Sequence, residues 1–208
     1  MTFVGQADVP GWLAGLASSR RVGAPRAEGN AVVYRDYEPE KGVELARKPT
    51  ESAKHVLFPR SEELFGFAYK RPPFAVPEKG EKVDDTGEIA PKLEVSEPEE
   101  PKPTVIFGML GCDAGGVTTF DPIFNGKKYK DVYYLKKREA TILIVRACTD
   151  VLSTCFCTWV GGDPANRRDG HVLAPETDGG WLLAPPTDPA EKALGSPLRT
   201  DPASGLAH

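Results

Sequence analysis

The alternation of apolar and polar residues predicts a compact core in the second half of the chain. Residues 104–108 are a short continuous apolar run, as expected of a parallel strand buried on both faces. Residues 140–147, with the sequence ATILIVRA, are β-branched and apolar and predict the clearest strand. Between them, residues 111–124 predict a turn leading into a helix, and residues 131–138 a second, charged helical stretch. This order predicts a right-handed βαβ unit.

The first half of the chain carries weaker patterns. Trp12, Leu13 and Leu16 have the spacing of one short helix within residues 1–30. The remainder of that stretch is rich in Gly, Ala and Arg, so we expect it to form an N-terminal arm. Residues 31–37 alternate well enough to predict a strand.

A change of composition interrupts the pattern at residues 70–103, which are rich in Pro, Glu and Lys and predict an irregular excursion, extended over the surface or disordered. Residues 171–174 and 180–184 predict two short strands that form a hairpin. The whole pattern predicts one α/β domain over residues 31–195, with a small, mostly parallel sheet and long irregular arms. A polar tail follows at residues 196–208.

Composition limits the classes of function. The chain has 208 residues, 40% of them hydrophobic, and a net charge of −4 without a basic block, which argues against nucleic acid as a partner. It contains no apolar run of the roughly 20 residues that a membrane span needs. Its first residues lack the basic start and apolar core of a secretory signal, so we expect a cytoplasmic protein.

Cysteine usage is the most informative chemical feature. The chain has 4 cysteines, all between residues 112 and 157, and they are Cys112, Cys148, Cys155 and Cys157. In a reducing compartment, four clustered thiols indicate metal ligands rather than disulfides. Cys112 follows the first predicted core strand and Cys148 the second. Because parallel strands end at the same edge of a sheet, the carboxyl edge is where we expect the four thiols to converge.

Four interpretations of these thiols remain open. Four thiolates are the ligand set of a [4Fe–4S] cluster, which we favour, or of a structural Zn²⁺ ion, although the paired Cys-x2–4-Cys spacing of zinc sites is absent. Cys112, at a helix N-terminus, could instead be a reactive thiol whose thiolate the helix dipole favours. Asp113 could be an oxygen donor to the metal, or a helix cap. The remaining possibility is four buried cysteines without a ligand.

Several short stretches occur in a characteristic order along the chain. They are AKHVLFP at 53–59, VIFG at 105–108, GCDA at 111–114, FDPIF at 120–124, DVYY at 131–134, CFCT at 155–158 and GGDP at 161–164. Together they resemble the N-terminal domain of the family that includes the sulfhydrogenase beta-subunit and the corresponding component of anaerobic sulfite reductase. The resemblance covers residues 31–195.

Members of that family are iron–sulfur electron-transfer subunits of multi-subunit redox enzymes. The resemblance therefore implies one [4Fe–4S] cluster on the four cysteines, and partners that include a ferredoxin-like or flavin subunit. We expect backbone N–H groups of residues 111–116 to hydrogen-bond the sulfurs, and Phe156 and Trp159 to exclude water. A metal-free adaptor that docks a ferredoxin-type subunit is an alternative. An enzyme that uses zinc, Cys112 as a nucleophile, or the cluster itself is another.

Two features depart from the family pattern. Leu110 and Gly111 precede Cys112, where the family usually has Arg-Pro. The family also continues into a ferredoxin-like module with Cys-x2-Cys-x2-Cys runs, which these 208 residues do not contain. We therefore expect that module on a separate subunit or in a missing part of the chain, and at most one cluster on these 208 residues.

Overall fold

The computed structural model describes residues 2–70, 79, 83, 92–164, 172–174, 176–177 and 179–183. The chain divides into two compact units. One unit joins Met1–Pro59 with Pro101–His208, and the other is Arg60–Glu100. The polar tail predicted at residues 196–208 lies outside the described residues.

The described elements follow one another in a mixed order of strands and helices. They are β1 (Thr2–Gly5), α1 (Val9–Ala17), β2 (Arg21–Glu28), β3 (Ala31–Asp36), β4 (Gly66–Lys70), β5 (Lys92–Ser96), β6 (Thr104–Leu110), α2 (Gly111–Phe124), α3 (Val132–Glu139), β7 (Thr141–Arg146), β8 (Val172–Ala174), β9 (Glu176–Thr177) and β10 (Gly180–Leu183). Short 3₁₀ turns occur at Pro39–Lys41, Ala53–Val56 and Cys157–Val160.

The larger unit is built on a five-stranded sheet with the strand order β3-β2-β6-β7-β8. Its β2–β6, β6–β7 and β7–β8 pairs are parallel, and β2–β3 is antiparallel. The neighbouring strands β6 and β7 are connected through α2 and α3. The predicted mixed α/β class is confirmed.

Strands β6 and β7 carry apolar side chains on both faces, which explains their continuous hydrophobic sequences. Phe107 and its register partner Ile144 pack with Trp12 of α1 in one core cluster. The adjacent pair Ile106 and Leu143 faces the opposite side and packs with α2 in a second cluster. The sheet is therefore covered on one face by α1 and on the other by α2.

A β-bulge at Gly108 changes the alternation within β6. The register with β7 shifts between Phe107 and Met109, and Gly108 has a positive φ of 73°. As a result Met109 joins the same cluster as Ile106, although regular alternation would turn it to the other face. The buried Tyr34 hydroxyl donates a 2.9 Å hydrogen bond to the Gly108 carbonyl, which fixes the bulge.

The sequence predicted an N-terminal arm over residues 1–30, but residues 2–30 contain β1, α1 and β2, and β2 lies inside the five-stranded sheet. Within that stretch the predicted short helix is confirmed as α1, whereas β2 was missed. Strand β2 lies between β3 and β6 and buries Val22 and Ala24. Its sequence, RVGAPRAE, has one large apolar residue and a proline, so it lacks the pattern of a central strand. Parallel pairing with β6 covers only Arg21–Gly23 and stops before Pro25, which has no N–H to donate.

A second, three-stranded sheet has the strand order β1-β10-β9. Strand β10 pairs with β9 in an antiparallel hairpin and with β1 on its other side. The sequence predicted a hairpin between residues 171–174 and 180–184, and this pairing is wrong: β10 pairs with β9, whereas β8 joins the larger sheet next to β7. Trp181 of β10 is buried in the core cluster of α1.

The smaller unit contains a β-hairpin where the composition predicted only irregular chain. Strands β4 and β5 pair in antiparallel register, with Phe67 opposite Val95 and Tyr69 opposite Leu93. These four side chains share one face, because residues two apart lie on the same side of a strand. The sequence did not predict this hairpin, because β4 precedes the Pro-rich excursion and β5 lies inside it, so neither strand has its partner nearby in the sequence.

Helix α3 begins at a well-formed cap, which gives a first testable prediction. The Asp131 carboxylate accepts a 2.9 Å hydrogen bond from the backbone N–H of Tyr134. We expect Asp131→Ala to lower the free energy of unfolding by about 1 kcal/mol, because that N–H loses its partner. Urea denaturation measures the difference. Asp131→Asn is the matched control, since asparagine also caps helices, and an equal loss in both variants would contradict the assignment.

No helix among the described residues is long and apolar enough to cross a membrane.

Candidate functional site

Cys112 is the second residue of α2, directly after the central strand β6. Its own backbone N–H and that of Asp113 lie near the sulfur and favour its thiolate form, because the first turn of a helix has no carbonyl partners for its N–H groups. The residue is exposed at the surface and is not part of a disulfide. Cys112 is therefore open to a ligand at a point where donors already face the sulfur.

The thiol of Cys112 is not activated, in contrast to the expectation from the helix dipole. Desolvation of the sulfur raises its pKa, and the neighbouring Asp113 carboxylate raises it further. The two backbone hydrogen bonds lower the pKa but do not outweigh these effects, and Cys157 adds a further rise. The reactive-thiol interpretation is therefore disfavoured. The contribution of Cys157 also shows that these two cysteines lie within electrostatic range of each other.

Asp113 is half-buried beside Cys112 and is held by residues from the 3₁₀ turn at Ala53–Val56. Burial raises the pKa of its carboxyl group, while a hydrogen bond from the Ser52 side chain and the charge of Lys54 lower it. Ser52 also accepts a hydrogen bond from the Lys54 backbone N–H. The Asp113 carboxylate thus interacts with Ser52 and Lys54, which favours a structural role for it next to Cys112.

His55 lies in the 3₁₀ turn next to Lys54. Its Nδ1 lies 3.2 Å from the Ser52 carbonyl oxygen and its Nε2 lies 3.1 Å from the Tyr34 carbonyl oxygen. The ring therefore ties the 3₁₀ turn to strand β3. Both nitrogens are engaged by the backbone, so His55 serves the packing of this turn.

The other three cysteines lie on one loop that follows β7. The Cys148 backbone N–H donates a 2.9 Å hydrogen bond to the Pro164 carbonyl and closes the base of the loop. Near the end of the loop, Gly162 donates to the Cys157 carbonyl at 2.8 Å. A Cβ on Gly162 would lie only 2.9 Å from the same oxygen, so glycine is required there. We refer to residues 148–164 as the cysteine loop.

Within the cysteine loop, two sulfurs already interact with the backbone. The Cys148 thiol donates to the Asp150 carbonyl at 3.1 Å, and the Cys155 sulfur accepts from the Leu152 N–H at 3.3 Å. Cys148 and Cys157 are half-buried, and Cys155 is exposed. None of the four cysteines forms a disulfide.

The structure brings the four cysteines only part of the way together. Among the described residues, which include all four, no three His, Cys, Asp or Glu side chains are grouped closely enough to hold a metal ion. The donor set fits an iron–sulfur cluster in chemistry and number. In geometry the described residues do not yet form a metal site, so metal binding would require the cysteine loop to close further.

Aromatic side chains of the cysteine loop face outward. The sequence led us to expect that Phe156 and Trp159 exclude water from the cysteines. Trp159 is 91% exposed and Phe156 is 64% exposed, so neither does so in this conformation. Val151 and Val160 are exposed as well. The loop therefore presents an apolar surface close to the cysteines.

Sequence reasoning missed the residues that reach this region from distant parts of the chain. Ser52 and Lys54 interact with Asp113 from the cap and the first turn of the 3₁₀ helix. The local sequence around them does not predict this contact. No protein-family model, no curated protein and no solved structure matches the chain.

Proposed function

We propose that this chain is a cytoplasmic electron-transfer subunit of a multi-subunit oxidoreductase. Cys112, Cys148, Cys155 and Cys157 would together hold one [4Fe–4S] cluster at the carboxyl edge of the βαβ unit. A bound cluster of this kind supplies one-electron transfer. The electrons would pass to or from a ferredoxin-like or flavin subunit, as the sequence resemblance to hydrogenase and sulfite reductase subunits implies.

One observation carries the proposal. Cys112 follows β6 by two residues, Cys148 follows β7 by two residues, and these strands are parallel neighbours. Both thiols therefore start from adjacent strand ends, and the cysteine loop supplies two more sulfurs from the same starting point.

The residues around Cys112 have a positioning role in this proposal. Backbone N–H groups at the start of α2 would hydrogen-bond the sulfur of a bound cluster, and such bonds raise its reduction potential. The Ser52 side chain and the charge of Lys54 favour the ionised form of the neighbouring Asp113 carboxylate. The remaining ligands would be brought in by movement of the cysteine loop.

An iron and acid-labile sulfide assay on anaerobically purified protein tests the proposal. We expect about four irons and four sulfides per chain and broad absorption near ~400 nm. Cys155→Ser should lose most of the iron, because a cluster with one thiolate missing is poorly held. Thr154→Val, at the exposed neighbouring position, is the matched control and should retain it. Iron-free wild-type protein, or equal iron in both variants, would refute the proposal.

A metal-free adaptor is the second candidate, and the outward-facing side chains of the cysteine loop favour it. Trp159, Phe156 and Val160 are all largely exposed, as in a surface that docks a partner protein. The same assay separates the two candidates, because an adaptor purified without oxygen contains no iron. Zinc found in its place would indicate a structural metal site.

A further inference from the structure

A cavity of about 240 Å³ opens at the carboxyl ends of β6 and β7. It lies on the face of the sheet that α1 covers, since Trp181 from that core cluster forms part of its wall. Its other principal lining residues are Gln6, Leu45, Lys48, Leu110 and Arg146, and Cys148 is at its edge. The carboxyl edge of a parallel sheet is the usual position for a ligand site in α/β folds.

Arg146 is the last residue of β7 and has an incompletely satisfied guanidinium group. The preceding residue, Val145, is buried on the opposite face, so strand alternation directs Arg146 toward the cavity. Its Nη1 donates to the Leu45 carbonyl. Its Nε is buried without a hydrogen-bond partner among the described residues. A buried N–H of a cation without an acceptor is unfavourable, and a small shift of the guanidinium toward an oxygen ligand in the cavity would remove that penalty.

Lys48 adds a second positive charge to the same cavity. Its ammonium group donates to the backbone carbonyl of Asp150, which carries no charge. Within the described part of the chain, neither Lys48 nor Arg146 forms an ion pair with a carboxylate. Asp150 is the single acidic residue in the lining, and it is exposed at the rim. The cavity is thus positively charged in a chain whose net charge is −4.

We propose that this cavity binds a small oxyanion, such as phosphate, sulfate or a short carboxylate. The Arg146 guanidinium would supply directional N–H donors and Lys48 a point charge, the usual division of roles between these residues at anion sites. The volume limits the ligand, because pockets for drug-sized molecules are typically about 300–1,000 Å³. The site adjoins the proposed cluster, since Cys148 also lines the cavity, but its donors are Arg146 and Lys48, which are not cluster ligands.

Calorimetric titration of the full chain with inorganic phosphate, sulfate and acetate, at constant ionic strength set with potassium chloride, tests the site. We expect at least one of them to bind saturably with a Kd of about 1 mM or below. Lys48→Met and Arg146→Met should each weaken binding about tenfold or more, because each removes a charge-assisted donor. Lys127→Met, at an exposed position between α2 and α3, is the matched control and should not change Kd.

Two outcomes would overturn the anion site. The first is the absence of saturable binding for all three ions up to about 10 mM, well above the affinity of a built anion site. The second is an equal effect of Lys48→Met and Lys127→Met, which would indicate non-specific attraction. If Arg146→Met fails to fold, the Kd values of Lys48→Met and Lys127→Met still show whether the anion binds in this cavity. The iron content of Lys48→Met should equal that of wild type, which separates this test from that of the cluster.

Discussion

Replacing Phe107 with alanine is expected to lower the free energy of unfolding by about 3–5 kcal/mol, the usual range for a buried phenylalanine. Phe107 is 1% exposed in the centre of β6. Its ring contacts Trp12 of α1 edge-on at 5.8 Å and Trp181 of β10 at 6.2 Å between ring centroids. The substitution therefore leaves a cavity where α1, the five-stranded sheet and the three-stranded sheet meet.

Urea denaturation followed by tryptophan fluorescence measures this loss. Two of the 3 tryptophans flank Phe107 and the third, Trp159, is exposed, so the signal reports mainly on this core. Phe156→Ala is the matched control, because that ring is 64% exposed and its removal should change stability by less than about 0.5 kcal/mol. Equal stabilities of the two variants would show that this cluster does not hold the sheets together.

The second large effect is expected at Gly108, where even one added methyl group should destabilise the fold by about 2–4 kcal/mol. The positive φ of 73° is unfavourable for any residue with a Cβ. An added Cβ would also lie 3.3 Å from Leu45 and 3.5 Å from Pro25. Backbone strain and crowding of Leu45 and Pro25 both lower the free energy of unfolding, so their effects add.

Thermal and urea unfolding of Gly108→Ala give the magnitude. Gly15→Ala is a control with the opposite expected sign, since Gly15 lies within α1 and a Cβ added there would have nothing within 4 Å. There alanine should stabilise by about 0.5–1 kcal/mol through helix propensity. A neutral Gly108→Ala would mean that the bulge relaxes without cost.

The sequence predicted those strands in which consecutive residues are apolar because both faces are buried. Strands β6 and β7 are apolar on both faces, so their hydrophobic runs needed no knowledge of partners. Strand β2 was missed because its small residues are buried by position in the sheet, and Pro25 argued against a strand. The β4–β5 hairpin was missed because its pattern depends on pairing two segments that are distant in sequence.

The candidate site shows the same division. The cysteines and the strand ends that precede them follow from the sequence, whereas their mutual distances depend on the course of the cysteine loop, which contains no regular pattern. The pKa of Cys112 was also beyond sequence reasoning. The helix N-terminus predicted a lowered value, but desolvation and the adjacent Asp113 carboxylate act against it and prevail. The sequence did not identify Arg146 as a candidate site residue. Its unpaired Nε is apparent only from the structure, in which the Leu45 carbonyl accepts from Nη1 alone.

The pairing of β1 with β10 has a consequence for the order in which the protein forms during synthesis. Residues 2–5 have their hydrogen-bonding partners at residues 180–183, so β1 remains unpaired until nearly the whole described chain has left the ribosome. At typical rates of 5–20 residues per second, that delay is roughly 10–40 seconds. The β2–β6 pair spans a long separation as well. Completion of the three-stranded sheet is therefore a late step in folding, which follows the formation of the β2–β6 pair.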